Sequence, residues 1–131
     1  MSARCTVWLE VATKDLEKAK AALEEPNEEN EASWGATELV FEEVRYPGDL
    51  IGGTIKAGIP YRKVNDEGEY PAGIEVSMAD GNGYLYCQTV EGSLFVPVSR
   101  ETGYPDPDAM LHVKNFLALE ARFYQYCKEN Q

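Results

Sequence analysis

The sequence contains only three cysteines and one histidine among 131 residues. Cys5, Cys87 and Cys127 lie far apart and form no CxxC pair, so they predict neither a disulfide framework nor a zinc site. The single histidine, His112, has no Cys or Asp at metal-ligand spacing, which argues against a zinc or iron centre. We therefore expect reduced cysteines in the core, with no metal and no other cofactor.

Long apolar runs are also missing from the sequence. No segment approaches the ~20 apolar residues that are needed to cross a bilayer. The N-terminal run MSARCTVWLEV is short and is soon followed by charged residues, unlike a signal peptide. The expected location is therefore the cytoplasm, without membrane contact.

Familiar catalytic motifs are absent as well. The run IGGTIKAG lacks the GxxxxGK[ST] spacing of a phosphate-binding loop, and no DxDxDG loop that ends in Glu is present for calcium. His112 lies on the flank of the predicted C-terminal helix, where we expect a partly buried packing residue and not a general base. We expect a protein that is not an enzyme, although pairing of a cysteine with His112 stays open because such partners meet only in space.

What the sequence does contain is an excess of negative charge. The 12 basic and 23 acidic residues give a formal net charge of -11, which would repel nucleic acid and anionic membranes and attract a basic protein surface. Many carboxylates fall in the first third of the chain. The predicted partner-binding face consists of Asp15, Glu17, Glu24, Glu25, Glu28, Glu29, Glu31, Glu42 and Glu43.

Two interpretations of this acidic face remain open. Charge runs are usually solvated surfaces that keep a protein soluble. Alternatively, the carboxylates could imitate a nucleic-acid backbone and occupy the basic groove of a protein partner.

The hydrophobic pattern predicts one domain, residues 1–131, of the α+β class. The predicted strands lie at 4–12, 37–46, 59–64, 73–79, 84–90 and 94–99, and the predicted helices at 14–25, 50–57 and 106–128. We expect five to six strands in a mainly antiparallel sheet with a C-terminal meander, covered on one face by the N-terminal helix and the long C-terminal helix. The polar segment 26–36 reads as an acidic loop that could be mobile, and Pro60 should place the third strand at an edge.

The C-terminal helix carries the clearest pattern in the sequence. Asp106 can cap it and Pro107 suits its first position. Its apolar arc consists of Ala109, Met110, Val113, Phe116, Leu117, Phe123, Tyr124 and Cys127.

Glu120 stands near the centre of that apolar arc. A buried unpaired charge is costly, so Glu120 must reach the rim, be protonated, or pair with a base such as Arg4, Arg45, Lys56 or Arg62. An alternative function follows from this residue. A small-molecule pocket under the helix would be formed by His112, Glu120 and Tyr124, in a binding domain or an undetected enzyme.

The runs AGIPYRKVNDEGEYPAGIEVS and VPVSRETGYPDPDAMLHVKNFLALEARF resemble short, acidic, uncharacterised proteins of bacterial phages and plasmids. The resemblance covers the C-terminal two thirds of the chain and carries over no functional residue. It implies a mobile-element context, in which small acidic proteins often inhibit host defence or regulate by binding proteins. The function expected from the sequence is therefore a non-catalytic binder of a basic protein surface, possible as a homodimer through a sheet edge or exposed tyrosines.

Overall fold

The alternating sequence CTVWLEVA forms an inner strand, around which the sheet is built. The computed structural model describes residues 3–129, and its seven strands are all antiparallel to their neighbours. In chain order they are β1 Cys5–Ala12, β2 Glu28–Glu31, β3 Ala36–Val44, β4 Tyr61–Asn65, β5 Gly73–Ser77, β6 Tyr84–Val90 and β7 Ser93–Leu94. Their order across the sheet is β2-β3-β1-β4-β5-β6-β7.

Among residues 3–129, four α-helices accompany the sheet: α1 Leu16–Ala22, α2 Pro47–Leu50, α3 Gly52–Ala57 and α4 Pro107–Glu129; a 3-10 turn, Thr13–Asp15, leads into α1. Helix α4 begins at Pro107 as predicted, and α3 ends at Gly58, which takes a left-handed conformation with φ of 70°. Helix α1 ends three residues earlier than predicted. Within residues 3–129, no helix is long and apolar enough to span a bilayer. The α+β class, the antiparallel sheet and the two predicted terminal helices are confirmed.

Both faces of the sheet bury apolar side chains. Val7 and Leu9 pack with Ala19 of α1, whereas Val76 packs with Phe116 of α4. Leu9 pairs with Lys63, which pairs with Glu75, so the next residue in β5, Val76, points to the opposite face. The helices are therefore divided between the two faces, where the sequence predicted one covered face. Periodicity identifies the buried side of a helix but not the side of the sheet that receives it.

The strand count is seven because part of the segment predicted as a loop is a strand. Residues Glu28–Glu31 form β2, whose four side chains are all exposed. Their backbone pairs with β3 after a tight reversal, in which the Ala32 N–H donates to the Ala36 carbonyl at 2.8 Å. Backbone pairing thus holds a segment whose side chains bury little, which side-chain pattern alone does not predict.

Two prolines explain two further differences from the prediction. Pro60 lies just before β4, so its missing N–H breaks no ladder bond, and β4 lies inside the sheet between β1 and β5 and not at an edge. In the last predicted strand, 94–99, Pro97 interrupts the donors. Regular pairing there ends at Leu94, and Val98 is 57% exposed, with one isolated bridge to Pro105.

Helix α4 packs through a narrower stripe than predicted. Phe116, Phe123 and Cys127 are fully buried, but Leu117 is 46% exposed and His112 is exposed. A straight helix on a sheet contacts it along one line, so residues at the flank of a broad apolar arc stay in solvent.

Gly53 of α3 lies against α1, where a Cβ would overlap the backbone oxygen of Ala22, whereas a Cβ at Gly52 would meet nothing within 4 Å. We expect Gly53→Ala to lower the free energy of unfolding by about 1–3 kcal/mol, because backbone cannot move aside cheaply. The matched variant Gly52→Ala should change it by less than about 1 kcal/mol. Urea unfolding monitored by circular dichroism measures both values, and equal effects would contradict the close packing of α1 on α3.

Candidate functional site

The structure brings most of the predicted acidic residues together beside β2. We call this group the acidic edge: Glu24, Glu25, Glu28, Glu29, Glu31, Glu42 and Glu43, all exposed. Glu24, Glu42 and Glu43 line one shallow groove, and Glu25, Glu28 and Glu29 line the next one. A carboxylate surface therefore runs from the end of α1 across the edge of the sheet.

Two contacts organise the acidic edge. Lys20 of α1 pairs with Glu29 at 3.1 Å, and Asn27 accepts the backbone N–H of Glu42 at 2.7 Å. Glu43 takes a left-handed backbone conformation with φ of 57°, at the point where the β1–β3 register shifts. Only one of the seven carboxylates of the acidic edge thus has an ion-pair partner among the residues that the structure describes.

Asp15, just before α1, and Glu17, in its first turn, are predicted residues that lie outside the acidic edge. The Asp15 carboxylate accepts a hydrogen bond from the Tyr126 hydroxyl at 2.7 Å, which joins α1 to α4. Burial, followed by this bond, raises the pKa of Tyr126. Asp15 therefore has a structural role, and Glu17 is an exposed residue of α1.

The backbone of β2 also offers hydrogen-bonding groups. In an antiparallel ladder, every second residue of a strand bonds the neighbouring strand through its backbone. The Ala32 N–H donates to Ala36, so Asn30, two residues earlier, also bonds β3. Glu29 and Glu31 then direct their backbone N–H and C=O groups away from β3. In the part of the chain that the structure describes, β2 pairs with no strand other than β3.

Glu120 forms an ion pair, as one of the sequence interpretations proposed. Arg62 donates from Nε to Glu120 at 2.8 Å and from a terminal nitrogen to Glu10 at 2.5 Å. The guanidinium also lies 5.7 Å from the ring centroid of Tyr124. Burial raises the pKa of Glu10, and Arg62 partly opposes that rise. The pair accounts for a carboxylate in the apolar arc of α4 without any ligand.

The residues of the alternative pocket are only partly brought together. Glu120 and Tyr124 meet at Arg62, but His112 is exposed and its Nε2 lies 2.6 Å from the backbone oxygen of Tyr86. The prediction of a partly buried His112 is therefore wrong. None of the three residues lines either groove of the acidic edge.

A second charged group, on the opposite face of the sheet, was missed by sequence reasoning. Lys63 is 3% exposed and its Nζ lies 3.7 Å from Glu75, which also accepts the Tyr61 hydroxyl at 2.6 Å. Burial lowers the pKa of Lys63, and the nearby Glu75 carboxylate opposes that change. Burial also raises the pKa of Tyr61, with Glu75 as the next cause.

The sequence did hold a signal for this group. Tyr61, Lys63 and Asn65 are every second residue of β4, so their side chains lie on one face, and Glu75 of β5 pairs with Lys63. Inward-facing polar residues become visible only when the register of the two strands is known.

All three cysteines are buried free thiols, as predicted. Burial raises the pKa of Cys127 to about 12. Among residues 3–129, no group of three or more His, Cys, Asp or Glu side chains is placed to hold a metal ion.

Comparison of the chain with protein-family models, curated proteins and solved structures gives no match.

Replacing Arg62 should expose the energetic role of its two ion pairs. We expect Arg62→Met to cost about 3–5 kcal/mol of unfolding free energy at pH 7, because it leaves two mostly buried carboxylates without a cation. Burial already raises the pKa of Glu10, and without Arg62 it rises further, so stability is lost as pH increases from about 4.3 through that raised pKa and regained as pH falls back toward about 4.3.

The matched control is Arg122→Met, since Arg122 lies on α4 with a 59% exposed side chain and contacts Asp80 at 3.4 Å. It should change the unfolding free energy little at any pH. A pH-independent loss in Arg62→Met would contradict the ion-pair assignment.

The thiols should be inert in the folded protein. Because only the thiolate reacts and burial disfavours it, a colourimetric thiol reagent should label no cysteine in native buffer and all three in denaturant. Rapid labelling of the native protein would show an accessible, reactive cysteine.

Proposed function

We propose that this protein is a non-catalytic binder that takes a basic, extended segment of a protein partner onto strand β2. The observation that carries the proposal is the exposed edge strand with three glutamates among its four residues. Outward-facing backbone groups at Glu29 and Glu31 supply the hydrogen bonds of an added strand. The surrounding carboxylates of the acidic edge supply charge complementarity.

Charge also favours a basic partner over a second copy of the chain at this edge. Two β2 strands placed side by side would bring glutamates against glutamates, and like charges on adjacent strands destabilise pairing. A lysine- or arginine-rich segment would instead be attracted from a distance by the net charge of -11.

The partner class that fits best is a nucleic-acid-binding protein. Its basic segment normally contacts phosphates, and the carboxylates of the acidic edge would take their place. Together with the resemblance to phage and plasmid proteins, this supports a role as a mobile-element inhibitor of a host nucleic-acid-binding or defence protein.

Strand addition can be separated from simple charge attraction at Glu31. We expect Glu31→Pro to weaken binding of a labelled peptide of alternating lysine and valine by about tenfold relative to Glu31→Gln. Both variants lose the same charge, but only proline removes an outward N–H. Fluorescence anisotropy measures the affinities, and equal values would contradict strand addition.

The contribution of the acidic edge is tested by charge reversal. Replacing Glu24, Glu25, Glu28, Glu29 and Glu31 with lysine should abolish peptide binding, whereas Glu91→Lys and Glu101→Lys, on exposed residues remote in sequence, should reduce it only slightly. Unchanged binding after the five reversals would exclude the acidic edge as the binding surface.

A further inference from the structure

A cleft with a polar floor lies on the face of the sheet that carries Lys63. Its volume is about 560 Å³, within the range of small-molecule sites. Lys63 and Asn65 form the floor and are 3% and 4% exposed. One wall is formed by Tyr46 and the first residues of α2, and another by Tyr70 and Pro71 in the loop before β5.

The floor presents one donor and one acceptor. The Lys63 ammonium pairs with Glu75 at 3.7 Å, and this contact engages at most one of its three N–H groups, so the others can donate to an acceptor in the cleft. The Asn65 amide nitrogen already donates to the backbone oxygens of Asp66 and Pro71, each at 3.1 Å. The group that Asn65 can offer a ligand is therefore its side-chain oxygen.

Tyrosines line the mouth of the cleft. Tyr46, Tyr70 and Tyr86 are 43%, 50% and 37% exposed, and the first two have ring centroids 6.3 Å apart. Tyr86 lies over Gly73, where a Cβ would overlap its ring. Exposed aromatic surface around a polar floor is typical of a site that stacks a flat ring.

The charges around the cleft favour a neutral ligand. Lys63 is balanced by Glu75, and Asp49 in the wall adds a negative charge. Arg45 does not change this balance because it pairs with Glu69 at 3.4 Å. An anion would be repelled by the net negative charge of the protein, and a cation would be repelled by the buried Lys63 ammonium.

We propose that this cleft binds a neutral planar heterocycle in which a carbonyl group stands next to an N–H, as in a nucleobase or its nucleoside. Lys63 donates to the carbonyl oxygen, Asn65 accepts from the N–H, and the tyrosines stack on the ring. The cleft shares Tyr46 and Asp49 with the groove beside Glu24, Glu42 and Glu43, but its ligand does not depend on the function proposed for the acidic edge.

Uridine and inosine are suitable probes, with 3-methyluridine and 1-methylinosine as matched controls in which a methyl group replaces the hydrogen of the N–H beside the carbonyl. We expect both parent nucleosides to bind, and methylation to weaken binding by about 10- to 100-fold because the Asn65 oxygen loses its donor. Isothermal titration calorimetry measures the affinities. Absence of binding by both parents, or equal binding of the methylated forms, would overturn the proposal.

Protein variants locate the binding in the cleft. Tyr70→Ala and Lys63→Met should each weaken uridine binding at least about tenfold, whereas Tyr104→Ala, 73% exposed, and the exposed Lys56→Met should not. Because Lys63 is buried, thermal unfolding checks that its variant folds, and Tyr70→Ala gives the same test without changing the core. Unaltered binding in Tyr70→Ala would place the nucleoside elsewhere and overturn the proposal.

Discussion

Arg62 and Lys63 are consecutive residues of β4 whose side chains lie on opposite faces of the sheet, and each must pair with a carboxylate there. Much of the structure depends on these ion pairs. Arg62 turns toward α4, where Glu10 and Glu120 receive it, while Lys63 turns toward the opposite face and Glu75. All of these side chains are mostly buried, so an unpaired member would be costly. Their pairing aligns β1, β4 and β5 with one another and holds α4 across them.

The two faces then serve different purposes. On the face of α4, the ion pairs lie beneath a helix whose Phe116 and Phe123 are fully buried, and the arrangement is accounted for by packing. On the other face, α1 and α3 pack near β1 and β3, while Lys63 opens onto a cleft with tyrosines at its mouth. Helices pack on both faces of the sheet, but no helix within residues 3–129 fills the cleft above Lys63 and Asn65.

Fold class followed from the sequence because alternation and helical spacing are local properties. The pattern in β1 and the start of α4 at Pro107 needed no tertiary information, and Glu120 was identified as a residue in need of a partner, with Arg62 among the options. The strand Glu28–Glu31 did not follow, because its side chains are exposed and only backbone pairing with β3 orders it. Lys63 and Glu75 also went unrecognised, since their encounter depends on the register between two strands.

By itself the sequence determined the acidity of the protein, the positions of its main strands and the long C-terminal helix, because charge and periodicity are written along the chain. Only the tertiary structure decided which face each helix covers, that the acidic segment lies at an open sheet edge, and that Lys63 and Asn65 share the floor of a cleft. The physical reason is that strand order and register bring together residues distant in sequence, and no local pattern encodes those distances.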